Sequence, residues 1–313
     1  MALPRMALFH DRIVPYAEAQ LGLLTHALNY GTGVFAGIRG YFNPDEGKLF
    51  VFRLADHVRR FHESARLLRM NLALSEDATT TAILDLLRAE GLRQDCYVRA
   101  LAFYADEVIG VRLHGLTPAV AAVAIPFGLY IDKAEGAHCT VSSWRRPDDN
   151  VVPPRGKITG SYINSAFAKS DAELAGFDEA ILLNRDGRVS EGSGENIFLI
   201  RRGVAVTPSL DQSVLEGITR RSLIMLLREV LGLTVEERPV ERAELFVADE
   251  VFLTGTAAQI TAVTRIDHRP VGSGQMGSIT SRLRSLFFDV VRGRSPQYRA
   301  WCTPVEEIPA GPA

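Results

Sequence analysis

The chain has little lysine. Of its 35 basic residues only Lys48, Lys133, Lys157 and Lys169 are lysines, and the rest are arginine. Biased codon usage accounts for such an imbalance, yet it leaves few candidates for any chemistry that needs a primary amine. Cysteine is scarcer still. Cys96, Cys139 and Cys302 are scattered, with no CxxC pair and no His-rich run, which excludes a disulfide framework and a structural zinc site. No long hydrophobic run occurs. The longest, Pro118 to Ile131, is interrupted by Pro126 and Gly128, is too short to span a bilayer, and reads as a buried strand. The opening Met-Ala-Leu-Pro-Arg lacks the charged-then-apolar layout of a secretory leader. An excess of one charge is missing too: the net charge is -2, which excludes a broadly basic nucleic-acid binder. These absences describe a soluble, reduced, cytoplasmic protein with no metal, no membrane and no nucleic-acid partner.

What is present is ordinary globular material. The 313 residues are 47% hydrophobic and 23% charged. That is enough apolar side chain to offset the entropy of ordering. At roughly 100–200 residues per domain, the length suggests about two domains. The pattern along the first part is mixed. Val34 to Phe42 and Lys48 to Phe52 are β-rich around the turn Asn43-Pro44-Asp45-Glu46-Gly47. Leu54, Val58, Phe61, Ala65 and Leu68 recur at helical spacing. A second helix runs over Ser75 to Glu90, with Ser75 as N-cap and Gly91 closing it. Tyr97 to Tyr104 and Ala119 to Ile125 read as strands.

Phe127 to Ala137, with Gly128, Gly136 and several charges, breaks this pattern and reads as a connection between domains. Beyond it come a strand at His138 to Trp144 and a helix at Ser161 to Ala175. A hairpin comes next around Asn184-Arg185-Asp186-Gly187, then strands at Asn196 to Arg201 and Val204 to Thr207. After these are a long amphipathic helix at Gly217 to Leu231, strands at Glu250 to Thr254 and Thr261 to Ile266, and a closing helix at Ile279 to Val291. This is not a clean strand–helix alternation, so a doubly wound sheet is disfavoured and an α+β architecture is expected.

Three of the lysines look solvated: Lys48 in a polar turn, Lys133 in a charged connection, Lys169 on a helix beside Asp171 and Glu173. Lys157 differs, because it lies between Val151-Val152-Pro153-Pro154-Arg155-Gly156 and Ile158-Thr159-Gly160-Ser161-Tyr162. Small neighbours admit a flat ligand to the backbone, and a partly desolvated lysine suits a Schiff-base nucleophile. A plain surface-loop lysine is the alternative. In Ser190-Glu191-Gly192-Ser193-Gly194-Glu195-Asn196, an acid beside small residues could face a cationic ring, or the stretch is a surface loop. It is not a dinucleotide fingerprint, because the third glycine is missing and a strand comes after it. Leu215 to Arg220 opens a helix whose free amides could cradle a phosphate. Thr254-Gly255-Thr256-Ala257-Ala258 could present amides to an anion such as a carboxylate. An amine, a ring-facing carboxylate and a phosphate cradle together are what pyridoxal phosphate requires.

With those residues in view, the chain resembles the class IV, fold-type IV pyridoxal-phosphate aminotransferases, and among them the branched-chain amino acid aminotransferases. The carrying motifs are His26-Ala27-Leu28-Asn29-Tyr30-Gly31-Thr32-Gly33-Val34-Phe35, Gly37-Ile38-Arg39, Ser143-Trp144-Arg145-Arg146, Ser190 to Asn196, Leu215 to Arg220, Ala248 to Phe252 and Gly255 to Ile260. The resemblance runs from about Gly22 to the C-terminal helix. It implies an α+β, two-domain fold of the D-amino-acid aminotransferase type, with the cofactor between a small domain over 1–126 and a large domain over 138–313, joined by 127–137. It implies Lys157 as the Schiff-base lysine, which also moves the proton between Cα and C4′. Glu191 would pair with the pyridine nitrogen, and Tyr162 would face the ring hydroxyl. Arg60, Ile218, Thr219 and Thr256 would hold the phosphate, with Arg59 as the neighbouring register. Thr256 and Ala257 amides would take the substrate α-carboxylate. Phe35, Tyr30, Arg99 and Tyr130 would line the side-chain pocket, with aliphatic chains on Phe35 and the glutamate γ-carboxylate turned towards Arg99. The implied reaction is transamination of leucine, isoleucine or valine with 2-oxoglutarate, and the implied partners are amino acids, 2-oxo acids and a second copy of the chain in a homodimer or larger assembly.

Two departures stand out. The family usually carries Phe-Glu-Gly-Ile-Arg where this chain has Phe35-Ala36-Gly37-Ile38-Arg39, so an acid that would balance Arg39 is missing. Arg112-Leu113-His114 resembles the Arg-x-His of the D-amino-acid branch, although a lid or subunit-contact role is preferred for it. The rival readings are a D-amino-acid transaminase, an aminodeoxychorismate lyase of the same fold, and a non-enzymatic, arginine-rich binding protein.

Overall fold

The computed structural model describes residues 3–128 and 136–306. They form two compact units. One comprises residues 3–128, 156–160 and 289–306, and the other comprises 136–155 and 161–288. Both mix helix and sheet, and the fold is α+β. A division into 1–126 and 138–313 differs from this one in two places. Gly156–Gly160 and the chain from Asp289 onward fold with the first unit. The cause is long-range strand pairing, which no local pattern announces. Part of the connection expected at 127–137 lies outside the described residues.

The first unit is built on a seven-stranded sheet. Its order is Cys302–Val305, Lys48–Phe52, Gly33–Asn43, Cys96–Tyr104, Pro118–Pro126, Met6–Phe9, Arg12–Pro15, and every neighbouring pair is antiparallel. Gly33–Asn43 is buried at nearly every position. The helix Leu54–Leu67 packs against it through Leu54, Val58, Phe61 and Ala65. The second helix, Glu76–Glu90, starts where Ser75 accepts a hydrogen bond from the Ala78 amide (3.2 Å) and ends at Gly91 with φ 65°.

The second unit is a nine-stranded mixed sheet in the order Val235–Glu237, Val204–Thr207, Asn196–Arg201, Glu250–Gly255, Gln259–Ile266, Ala137–Arg145, Glu179–Leu183, Val189–Gly192, with Arg269–Pro270 pairing Gln259–Ile266 off this path. Ala137–Arg145 runs parallel to Glu179–Leu183, and the helix Tyr162–Leu174 makes the crossover, packing on both strands. Cys139, Ile181, Ile197, Leu199, Val251 and Leu253 are central to the core.

A short backbone graft completes the first sheet. The strand Gly33–Asn43 pairs with Lys48–Phe52 only from Gly40 onward, so its first residues have an open edge. Gly156–Gly160 fills it. The Phe35 amide donates to the Lys157 carbonyl (2.9 Å), Val34 bridges Ile158, and the Gly160 amide donates to the Gly31 carbonyl (3.1 Å). The Thr159 hydroxyl is shared between the carbonyls of Gly31 (2.9 Å) and Gly33 (3.0 Å). Gly31 is left-handed (φ 64°), and a Cβ there would come within 2.9 Å of Gly160 Cα. Gly31→Ala combines that close approach with an αL cost of about 1–2 kcal/mol. We expect it to lower unfolding stability by at least that amount in a denaturant titration, with an unchanged m-value.

Candidate functional site

Lys157 is held by its backbone on two sides. Its carbonyl accepts from Phe35, and its amide donates to the Ser64 hydroxyl (3.1 Å). Ser64 is buried in the helix Leu54–Leu67 and donates to the Arg60 carbonyl (2.8 Å). One hydroxyl therefore joins the Lys157 segment to the helical turn that carries Arg60. With the backbone fixed, the half-buried Lys157 side chain runs over the Phe35 ring, Nζ lying 4.8 Å from the centroid. Arg60 is half-buried while Arg59 is exposed beside Asp56. Of the other lysines, Lys48 is exposed and Lys133 lies outside the described residues. Lys169 corrects an expectation. It is no solvated helix lysine, because Nζ donates to the Asp178 carbonyl (2.5 Å) and to the fully buried Glu179 (3.0 Å).

The cross-strand register places Gly37 opposite Arg99 and Arg39 opposite Tyr97, so Phe35, Arg39, Tyr97 and Arg99 share one face of the first sheet. The Arg99 guanidinium lies over Phe35 (4.5 Å) and Tyr97 (5.4 Å) and donates to the Tyr97 hydroxyl (3.2 Å). Sequence reasoning named Phe35 and Arg99 and missed Tyr97, whose place the strand register alone would have indicated. Tyr30 is half-buried, and its hydroxyl accepts from the Gly110 amide (2.9 Å). Arg112 and His114 are exposed. Tyr130 lies outside the described residues.

In the second unit, Glu191 is buried on the short strand Val189–Gly192 and is held from three directions. Arg146 Nη2 approaches Oε1 (2.7 Å), while Asn196 Nδ2 (3.0 Å) and the Leu215 amide (3.1 Å) donate to Oε2. Asn196 also donates to the Leu215 carbonyl (2.9 Å), and a Cβ on Gly217 would overlap its Oδ1. Glu191 and the start of the helix Ile218–Glu229 are thus one construction, pinned by Asn196. Gly217, as N-cap, lends no side chain to the first turn, where Ile218 and Thr219 are buried. Orphan amides and the positive end of the dipole converge there. The register also pairs Asn196 with Thr254, bringing Thr256 and Ala257, half-buried in the turn before Gln259, to the same end of the sheet. Tyr162 is the half-buried first residue of its helix. Sequence reasoning quoted Arg146 and Asn196 inside motifs but gave them no role.

These groups suit a phosphorylated pyridine. Glu191 is a buried carboxylate beside a helix start that carries no capping side chain. A side chain at Gly217 would collide with Asn196. Such a site can accept from a ring N–H with the carboxylate and donate to a phosphate with the helix-start amides.

A second buried acid lies four residues beyond Glu191. Burial, and to a lesser degree Glu179, push the Glu195 carboxyl up to about 8, against smaller effects of the Gly194 amide and Lys169. Burial thus favours the protonated form of Glu195, close to Glu179 and Glu191.

Comparison with known proteins gives the same direction. The sequence profile described as "Amino-transferase class IV" matches residues 33–266. A "Probable branched-chain-amino-acid aminotransferase" of Aquifex aeolicus is 46% identical, covering 96% of each chain. A crystal structure of the branched-chain aminotransferase from Thermoproteus uzoniensis with norvaline superposes with a TM-score of 0.93 at 41% identity, covering 97% of this chain and 100% of that one. The branched-chain amino acid aminotransferase of Thermobaculum terrenum, in PLP-form, also gives 0.93 at 40% identity, covering 97% and 99%.

The Glu195 proton has a measurable consequence. An acid whose folded value lies above its unfolded value loses stability as pH rises between the two, here from about 4.5 to about 8. The Glu195→Gln apoprotein should gain stability over wild type, little at pH 5 and on the order of a few kcal/mol at pH 8. Thermal unfolding across that range measures the difference.

Proposed function

We infer that this chain, which belongs to the class IV aminotransferases, is a pyridoxal-phosphate enzyme that exchanges the amino group between leucine, isoleucine or valine and 2-oxoglutarate. The observation that carries the reading is Lys157: a lysine whose backbone is stitched into the first sheet and whose amine is held over Phe35. The substrate class rests on the curated relatives and solved structures, which are branched-chain aminotransferases matched over nearly the whole chain.

Pyridoxal phosphate, when bound, supplies a ring that accepts the electron pair of the breaking Cα–H bond. The Lys157 amine would hold the cofactor's carbonyl carbon, and, as the one amine placed over Phe35, would serve as the base that takes and returns the substrate Cα proton. Glu191 keeps the proton on the ring nitrogen. Tyr162 orients the ring hydroxyl. Ile218, Thr219, Thr256 and Arg60 bind the phosphate. Thr256 and Ala257 amides bind the α-carboxylate. Phe35 offers apolar surface to an aliphatic side chain, and Arg99, Tyr97 and Tyr30 offer polar groups to glutamate, so one pocket serves both half-reactions in turn.

The working form is a homodimer in the cytoplasm. Leu23, Leu24 and Leu28 are exposed beside Ile109 and Val111, and the two stretches are fastened by the buried His26, whose ring nitrogens bond Thr32 Oγ1 and the Gly110 carbonyl (2.7 Å each). Large apolar side chains left exposed on two stretches fastened together support an association face there. The three cysteines are free and buried, and no helix among the described residues is long and apolar enough to cross a membrane.

The purified protein should lose its bound-cofactor absorbance rapidly with L-leucine and with L-glutamate, and not with D-alanine or D-glutamate. The reverse pattern would make it a D-amino-acid enzyme with Arg112 and His114 at the carboxylate. Lys157→Ala should reduce turnover by about two to four orders of magnitude; full activity would end the Schiff-base assignment. In light scattering, wild type should have twice the chain mass, and Ile109→Asp with Leu28→Asp should shift it towards one.

A further inference from the structure

Arg146 is a charged residue deep in the second unit, and the transamination chemistry assigns it no task. It comes directly after the strand Ala137–Arg145, its amide donates to the Leu183 carbonyl (2.9 Å), and 8% of its surface is exposed. Its guanidinium spans from the helix Tyr162–Leu174, where Nη1 reaches the Ser165 hydroxyl (3.4 Å), to Glu191 Oε1, 2.7 Å from Nη2. Its Nε is buried with no hydrogen-bond partner. Burying an arginine and leaving one of its donors unsatisfied is costly. A site that only needed to fill volume there would use an apolar side chain.

We propose that Arg146 is the positioning residue for Glu191, keeping that carboxylate ionised and its plane fixed so that it can hold the proton on the cofactor's ring nitrogen. The inference rests on the assignment of Glu191 to that nitrogen and adds a residue to it. The physical argument concerns which partner supplies charge. Asn196 and the Leu215 amide are neutral donors that orient Oε2. Arg146 is a cation in direct contact with the carboxylate. In a buried setting an adjacent cation favours the charged form of an acid more strongly than a neutral donor does. Without it, Glu191 would take up a proton more readily, and a neutral carboxyl cannot form the ion pair that holds a pyridinium. A carboxylate left ionised at high pH would still do so. Loss of Arg146 should therefore show as a new pH dependence, not as a uniform loss.

The test is cofactor affinity of the apoprotein, measured by equilibrium dialysis with pyridoxal phosphate from pH 6 to 8.5, with the pH-dependent absorption spectrum of the loaded protein as a second readout. Unfolding of each apoprotein is followed as a control for folding. Wild type should show a flat profile across this range once the phosphate's own ionisation is corrected with Glu191→Gln. Arg146→Met should bind about tenfold more weakly at pH 6 and within about twofold of wild type at pH 8.5, a tenfold change corresponding to about one unit of displaced proton affinity. Arg146→Lys, which keeps the cation, should restore most of the flat profile. In the Glu191→Gln background, Arg146→Met should add no pH-dependent change. A loss equal at all pH values, or the same loss in the Glu191→Gln background, overturns the proposal while leaving Glu191 in place. If Glu191→Gln itself changes neither affinity nor spectrum, the ring-nitrogen assignment falls and takes the proposal with it.

Discussion

The geometry around Lys157 depends on one short stretch of backbone pairing. Gly156–Gly160 fills the open edge of Gly33–Asn43, and without it the lysine would lie in an irregular loop rich in proline and glycine. Three kinds of hydrogen bond hold the stretch: strand-like bonds at Phe35 and Gly160, side-chain bonds from Thr159 to Gly31 and Gly33, and the Ser64 hydroxyl on the Lys157 amide. Each pairs a backbone group of this stretch or of the strand it joins, so fastening the loop and aiming the lysine are the same event. Such a lysine can be exposed enough to react and yet be confined to a narrow range of positions over Phe35.

The second unit solves a different problem, which is to bury several acids close together. Glu179, Glu191 and Glu195 are all nearly inaccessible. Each is handled separately. Glu179 takes Lys169, Glu191 takes Arg146, and Glu195, displaced to about 8, favours its protonated form. This allocation leaves Glu191 as the anion beside the helix start, with Asn196 binding the two together. The arrangement separates neighbouring acids by environment: of two residues four apart in one sequence motif, Glu191 faces Arg146, and burial raises the Glu195 carboxyl.

Much of this was legible in the chain. Helical periodicity located Leu54–Leu67, Glu76–Glu90 and Ile218–Glu229 within a few residues, and the Ser75 cap and Gly91 stop are as local chemistry predicts. The uniqueness of Lys157 showed against a background nearly free of lysine. The Gly-Ser-Gly cluster after Glu191 and the bare helix start at Gly217 were visible as well. Hidden were the features made by partners distant in sequence. The N-terminal hairpin Met6–Phe9 and Arg12–Pro15 and the edge strand Cys302–Val305 are too short to show a period. The buried pairing of Lys169 looked like ordinary helix-surface charge because Asp171 and Glu173 are nearby, whereas the deciding partner, Glu179, is on a strand. Arg146 and Asn196 were in view as letters but not as contacts, because their meaning comes from Glu191.

The missing acid in Phe35-Ala36-Gly37-Ile38-Arg39 shows how the strand's geometry settles a point that spacing leaves open. Along the chain, Ala36 is close to Arg39, and its lack of charge would leave the arginine unbalanced. In the extended strand Gly33–Asn43, successive side chains alternate faces, so positions 36 and 39 point to opposite sides. Ala36 is 2% exposed and belongs to the core of its own face. On the other face Arg39 donates Nη2 to the carbonyls of Phe127 (3.1 Å) and Gly128 (2.5 Å), and its guanidinium lies over the rings of Tyr41 and Phe127. Carbonyl oxygens and ring faces are partners that suit a cation with little access to water. They also tie the chain's exit from the last long strand of the first unit, at Phe127, to the strand that bears Phe35. Arg39 therefore braces the sheet face on which Phe35, Tyr97 and Arg99 are arrayed, and an alanine at 36 takes nothing from that task.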